Sequence, residues 1–366
     1  MTQGPATPGP APAVLGVLRE PSLWLAAGAT TVLFLAIMIV PLFGIFMGTF
    51  TPVPLIISYR ARGRLFGLAT GGAALVLVGA FYLLSGSPLG VLVFLEYCIL
   101  GVVLGEGMLR GLPPGRLVGL GAGAVIAFGL VLLVATSSGE GEGPFSRGKS
   151  IVERQVRESL QLYDEVVSGS AAPDRLPPGR NPDDDLPAES RTESPFPDSN
   201  DAGIMDAGTP DARIEPLVEG LIRVFPSLMV MGTVLVSWAN FLMTRMFLTR
   251  RGVTLPDQPN LKNWQAPEHL VWPLIGSGFA LFLFSGAVSS LGLNGLIILG
   301  LVYFFQGLAI VAFWLDRKKA PRFFRVLTYT LIALQQYLTL GVALLGLFDM
   351  WLDFRKLKTI TGGGAE

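Results

Sequence analysis

The sequence predicts an all-α fold: a polytopic helical membrane protein of eight or nine spans with a partly disordered acidic insert. Three observations predict it. Hydrophobic residues are 51% of the 366 and charged residues only 15%, against about 25% charged in soluble domains. The mean hydropathy is +0.56. The charge is segregated as well: 18 of the 27 acids but only 9 of the 27 bases lie in Gly139–Arg223, so a net charge of zero hides an acidic segment inside a basic, apolar body. One Cys (Cys98) and one His (His269) exclude a disulfide framework and a zinc site of Cys/His type.

Residues 1–20 are rich in Pro, Ala and Gly and are expected to be disordered. They lack the basic n-region and cleavage site of a removable signal, so the first span is expected to be retained. A membrane helix takes about 17–25 apolar residues. The N-terminal bundle, residues 21–138, offers Leu23–Val40, Leu42–Ser58, Leu65–Leu84, Leu89–Met108 and Leu117–Ala135. The C-terminal bundle, residues 216–355, offers Leu217–Leu248, Val271–Ser289, Leu293–Leu315 and Phe323–Phe348, followed by a tail at 356–366. Pro41, Pro52 and Pro54 interrupt the second stretch, so the first two can also form a re-entrant hairpin.

Bases in short loops set the orientation. Arg60, Arg62 and Arg64 follow span two, Arg110 and Arg116 span four, Arg245, Arg250, Arg251 and Lys262 span six, and Arg317, Lys318, Lys319, Arg322 and Arg325 span eight. The loops Ser85–Pro88 and Ser290–Asn294 hold no base. The expectation is a multi-pass protein of the bacterial cytoplasmic membrane with its N-terminus in the cytoplasm. Strict counting then leaves Arg355, Lys356 and Lys358 outside, against the rule. Either the C-terminus is outside or one early segment does not cross.

The insert, residues 139–215, divides in two. Val152, Val156, Leu160, Tyr163 and Val167 recur every three or four residues, the mark of an amphipathic helix over 150–168. Residues 171–210 have almost no large apolar side chain and are expected to be disordered and extracytoplasmic. Gly143–Ser150 satisfies G-x-x-x-x-G-K-[ST]. It follows a membrane span instead of a strand and sits beside Glu140 and Glu142, so it reads as an accident. No nucleotide or other cofactor is expected.

An internal repeat reads G-R-L-x-G-L-x-x-G in Gly63–Gly71 and again in Gly115–Gly123. Glycines four apart share a helix face and let backbones approach. Gly63, Gly67 and Gly71, with Gly115, Gly119 and Gly123, are therefore expected to be packing positions in two duplicated hairpins. A chance match among 45 glycines is the plainer alternative.

In-span polar residues mark the candidate site, because each is costly in hydrocarbon. Glu96 is mid-span beside Tyr97 with no Lys or Arg in its own span until Arg110, so it must be protonated, paired or wet. Asn240 and Gln306 add amides. Glu96, Tyr97, Asn240 and Gln306 are the candidate solute or proton site; helix–helix contact is the plainer role of the amides. Asp349, Asp353 and Arg355 close the last span beside Trp351 and are expected to anchor the helix end. No catalytic triad can be assembled from one His and one Cys, so no enzyme is expected. The bases are dispersed, so no nucleic-acid partner is expected either.

The run Pro52–Arg64, Pro226 and Asn240, Trp264, Pro267 and Pro273, Gln306-Gly307, and Gly346 with Asp349 and Asp353-Phe354-Arg355 resemble the YybS-like family of predicted bacterial membrane proteins. That family has no established activity, and the likeness covers most of residues 20–358 without the acidic insert. The Gly-rich N-terminal half is also similar in style to the substrate-capturing membrane subunits of energy-coupling-factor importers, which have six spans. The hairpin repeat, Glu96 and the in-span amides point to a small-solute binding or translocating membrane subunit, with the bilayer and other membrane subunits as expected partners. The alternative is a non-transporting scaffold or assembly protein of the cell envelope, consistent with close Gly packing.

Overall fold

The structure, a computed structural model, describes residues 16–87, 89–137, 146, 150, 154–155, 157–159, 210–253, 262 and 264–355. Among these it is helical, with no strand. In chain order the helices are α1 (Pro21–Ile39), α2 (Pro41–Gly48), α3 (Pro52–Arg62), α4 (Arg64–Leu84), α5 (Gly90–Leu109) and α6 (Pro114–Ser137). They continue with α7 (Pro210–Arg250), α8 (Val271–Leu283), α9 (Gly286–Arg317), α10 (Arg322–Leu334) and α11 (Gln336–Leu352). The chain forms two units. One is Met1–Leu132 with Pro226–Glu366, the other Leu133–Phe225.

In the second unit, Ser150, Arg154, Gln155 and Arg157–Ser159 are helical, as the 150–168 periodicity predicts. The rest of that helix lies outside the described residues. So do residues 1–15, most of Gly143–Ser150, residues 171–209 and the tail 356–366.

Six helices are long and apolar enough to cross a membrane: α1, α4, α5, α6, α7 and α9. The pair α10–α11 makes a seventh if its two arms, bent by 103°, count as one span. The other expected spans are broken, each for a local reason. The stretch Leu42–Ser58 becomes two short helices. Val40 is extended, Pro41 starts α2, and Pro52 starts α3. Gly48 would bond the N–H of residue 52, which proline lacks. The Thr51 N–H (3.0 Å) and hydroxyl (2.6 Å) take that carbonyl instead. The stretch Val271–Ser289 breaks at Phe284 and Ser285, both extended, followed by Gly286 at φ 65°. That leaves α8 only 13 residues. The last stretch breaks at Gln335, also extended.

Helix α3 sits in a socket of glycines. Leu55 and Tyr59, one turn apart, face Gly67 and Gly71 of α4 on one side and Gly101 and Gly105 of α5 on the other. A Cβ on Gly67 would enter the Tyr59 ring; one on Gly101 would lie 2.6 Å from Leu55, and one on Gly105 2.8 Å from Tyr59. Leu55 and Tyr59 are fully buried, at 0% and 2% exposure. Small residues here supply the close van der Waals packing that stands in for the hydrophobic effect inside lipid.

The second copy of the repeat behaves differently. Gly119 and Gly123 have open space where a Cβ would stand, and Gly115 faces the Trp264 indole nitrogen at 3.1 Å. Helix α6 turns Leu117, Val118, Gly121 and Ala122 inward instead. The expectation that both copies pack alike is thus corrected: Gly67 and Gly71 pack, Gly119 and Gly123 do not. Gly63 makes the α3–α4 turn at φ 91°, which explains its place in the motif without helix packing.

Helices α9 and α11 cross where Gly307 meets Gly346. A Cβ on Gly307 would strike the Val342 carbonyl, and one on Gly346 the Tyr303 carbonyl. The two arms of α10–α11 are tied to one spot. Arg325 of α10 reaches Asp316 at 3.2 Å, and Lys262 reaches the same carboxylate at 2.6 Å. Arg355, just past α11, donates to the Lys262 carbonyl at 2.7 Å.

Candidate functional site

The polar residues singled out in the sequence are placed in three separate surroundings. Gln306 joins the helix-end anchor. Its Nε2 donates to Asp349 Oδ2 at 3.2 Å, and its Oε1 accepts from the Ala266 N–H at 3.2 Å. Arg355 Nη2 donates to the same Oδ2 at 2.7 Å, with both charged side chains 0% exposed. Arg355 Nη1 also donates to the Trp264 carbonyl at 3.0 Å, and the Phe354 N–H satisfies Asp349 Oδ1 at 3.0 Å. A buried carboxylate costs several kcal/mol unless paired and bonded, and here both oxygens are used. Asp353 is not the second carboxylate of a helix face: it is left-handed (φ 39°) and caps the end of α11. The anchor expected of Asp349 and Arg355 is therefore larger than the three residues named for it, and its function is to fasten the 262–266 segment to α9 and α11.

Asn240 serves the broken helix. Its Nδ2 donates to the Thr49 carbonyl and to the Val236 carbonyl, both at 2.9 Å. Thr49 lies in the gap between α2 and α3; the Val53 N–H, which an unbroken helix would turn to its carbonyl, goes to Phe50 instead, so a side chain of α7 supplies the donor. Its Oδ1 is buried without a partner among the described residues.

Glu96 is half-buried on α5 and has no hydrogen-bond or ion-pair partner among the described residues. Tyr97 beside it packs edge-on against Phe34, centroids 5.8 Å apart, in an aromatic group with Phe94 and Tyr82. Ten residues on, Glu106 is held by Arg110 at 2.8 Å and by Arg64 Nε at 2.9 Å. No hydrogen bond joins any two of Glu96, Tyr97, Asn240 and Gln306.

A chamber lies elsewhere, between α6, α7, α9 and α10, with a volume of about 910 Å³. Helix α7 gives it Val234, Trp238, Leu242, Arg245 and Thr249, at intervals of three or four residues. Those five cover about 22 Å of helix at 1.5 Å per residue, from an apolar end to a cationic one. Helix α9 adds Val302, Phe305, Ala309 and Ala312 on its own matching face, and α10 adds Tyr329. Gly119 of α6 forms part of the wall, which is why nothing occupies the space beside it. At the cationic end Arg250, Lys262 and Trp264 join Arg245, and no acid among the described residues lines the chamber. Lys262 is neutralised by Asp316, whereas Arg245 and Arg250 have no ion pair among the described residues.

Neither Glu96 nor Gln306 lines this space. The stripe on α7 was open to sequence reading as a 3–4 periodicity. It was hidden because every position in an apolar span looks alike until a neighbour is missing.

The family model described as "Predicted membrane protein (DUF2232)" matches residues 28–174 and 211–350, and the chain belongs to that family. The protein is also similar to "Uncharacterized protein YybS" of Bacillus subtilis (strain 168), 30% identical over 143 residues, which is 37% of this chain. The match spans 45% of that relative, less than half its length. No solved structure matches the chain.

Proposed function

From its membership of that membrane-protein family and from the chamber, we propose that the protein is a membrane-embedded binding subunit. Its ligand enters between α6, α7 and α9, not at Glu96. The observation that carries this reading is the chamber of about 910 Å³, at the upper end of the size of ligand pockets. Its apolar walls and few convergent polar groups are the usual makeup of such a site. The glycine socket around Leu55 and Tyr59 favours a second role for the N-terminal half, that of a rigid scaffold, because it packs without space for a ligand.

The orientation belongs to the same proposal. Arg325 and Arg355 hang on one Lys262–Asp316 pair, so α10–α11 re-enters the face it left and does not cross. With the α2–α3 pair and α8 crossing as short or broken segments, eight crossings put both termini in the cytoplasm of a bacterial cell. Arg355, Lys356 and Lys358 then obey the charge rule, and the acidic insert lies outside. The early segments need no exception; the last one supplies it.

Native mass spectrometry of the full chain in detergent tests the binding role. A retained small-molecule adduct is expected, and it should disappear in Gly119→Trp, which fills the chamber where no neighbour is displaced. An adduct unchanged by that substitution, or none at all on the parent protein, contradicts it.

A further inference from the structure

The shape and charge of the chamber go further than its volume. We infer that its ligand is an anionic membrane amphiphile, one apolar chain with a negatively charged headgroup such as a lipid phosphate. This rests on the binding role proposed above and names the ligand class of the same site.

The order of residues along α7 carries the inference. Val234, Trp238 and Leu242 line one end, Arg245, Thr249 and Arg250 the other. A polar solute would leave the long apolar part empty against Trp238, Phe305 and Val302. A neutral hydrocarbon would leave two guanidinium groups without an anion. An amphiphile satisfies both ends at once. Arg245 is half-buried and Arg250 exposed, while Val234 and Trp238 are half-buried and Leu242 exposed, so the slot is open along its side as well as at its cationic end.

Charge balance points the same way. Of the three cations at the mouth, Lys262 is already paired with Asp316, and no carboxylate among the described residues lines the chamber. Two arginines with no ion pair among the described residues, over an apolar slot, make a positive mouth there, the complement of a single anionic headgroup. Arginine suits this task because its planar fork can hold two oxygens of a phosphate. The indole of Trp264 stands at the same end against Gly115, with its ring nitrogen unpaired among the described residues, and can donate a further bond. Trp and Tyr (Trp264, Tyr329) at that level are the side chains expected where headgroups meet hydrocarbon.

The test uses the full chain with Trp24, Trp272, Trp314 and Trp351 replaced by Phe, so that fluorescence comes from Trp238 and Trp264 alone. Phosphatidylglycerol and phosphatidylcholine with brominated acyl chains are the probes, titrated in mixed micelles, since bromine quenches a tryptophan it touches. The expected result is quenching by phosphatidylglycerol at a lipid ratio roughly tenfold lower than by phosphatidylcholine. Arg245→Gln with Arg250→Gln should abolish the preference and leave the quenching itself. Millimolar inorganic phosphate should not reverse it. Equal quenching by both lipids in the parent protein overturns the anionic class and leaves the binding role standing. Full displacement by inorganic phosphate overturns the amphiphile in favour of a soluble anion. No quenching by either lipid overturns the binding role itself. If the double Gln variant fails to fold, Arg→Lys at both positions, which keeps the charge, should retain the preference.

Discussion

Arg355 lies 2.7 Å from Asp349 with neither side chain exposed, and the pair joins the end of α11 to a segment more than eighty residues earlier in the chain. Its two other donations go to the carbonyls of Lys262 and Trp264, so a single guanidinium closes the 262–266 segment over the bundle. Removing one partner leaves a bare charge in a dry site. Asp349→Ala should therefore lower stability by about 3–5 kcal/mol, read as a drop in the thermal midpoint in detergent. Arg355→Met should cost a similar amount. The joint Asp349→Leu, Arg355→Met change should cost less than either single change. Additive losses would show that the pair is not one unit.

The glycine positions separate by their neighbours. Gly67→Leu and Gly346→Leu put side chains into Tyr59 and into the Tyr303 backbone, and both should lower the thermal midpoint sharply. Gly341→Leu and Gly119→Leu meet open space and should leave it nearly unchanged. Equal effects in all four would remove the close-approach argument.

Asn240→Ala takes the donor from the Thr49 carbonyl. The loss should be about 1–3 kcal/mol, because an orphaned buried carbonyl has no water to turn to. Asn240→Asp keeps the size but not the donor and should be at least as damaging. A neutral result in unfolding would mean that the α2–α3 break is held by Thr51 alone.

Glu96 separates the chamber from the site first suggested by the sequence. Glu96→Gln should leave thermal stability and amphiphile quenching at wild-type values, since Glu96 does not line the chamber. A loss of ligand binding in that variant would return the site to α5.

The topology prediction is read by cysteine labelling in a Cys98→Ala background. Cysteines at Arg62, Arg116, Lys318 and Lys358 should react with an impermeant maleimide only after the inner face is opened. One at Asp184 should react from outside. Labelling of position 358 from outside would make α10–α11 a true crossing.

Much of the fold was legible because apolar length is a strong signal: α1, α4, α5, α6, α7 and α9 coincide with stretches read directly from hydropathy. The breaks at Pro41, Pro52 and Gly286 carry local marks. The break at Gln335 carries none, since neither Pro nor Gly stands there, and so the last stretch read as one unbroken helix. The charge rule marks the same stretch, since a straight crossing there leaves three bases on the wrong side. Among site residues, the cost of a polar group in lipid singled out Asn240 and Gln306, and the end of the last span singled out Asp349. It could not say that Asn240 and Gln306 are spent on backbone groups 191 and 40 residues away, or that Asp349 takes an arginine six residues on, beyond the end of α11. The chamber was hidden for the opposite reason. It is built mostly from ordinary apolar residues, and a cavity is a property of what is absent between helices.

The central claim is that the space between α6, α7 and α9 is an occupied binding site. Its most direct measurement is the alkylation rate of a single thiol at Ala312→Cys, on the chamber wall, in the Cys98→Ala protein. N-ethylmaleimide should modify it in detergent, and oleoyl lysophosphatidylglycerol should slow the reaction about tenfold while lysophosphatidylcholine does so far less. A rate unchanged by either amphiphile, or a thiol that reacts only after denaturation, would contradict the account.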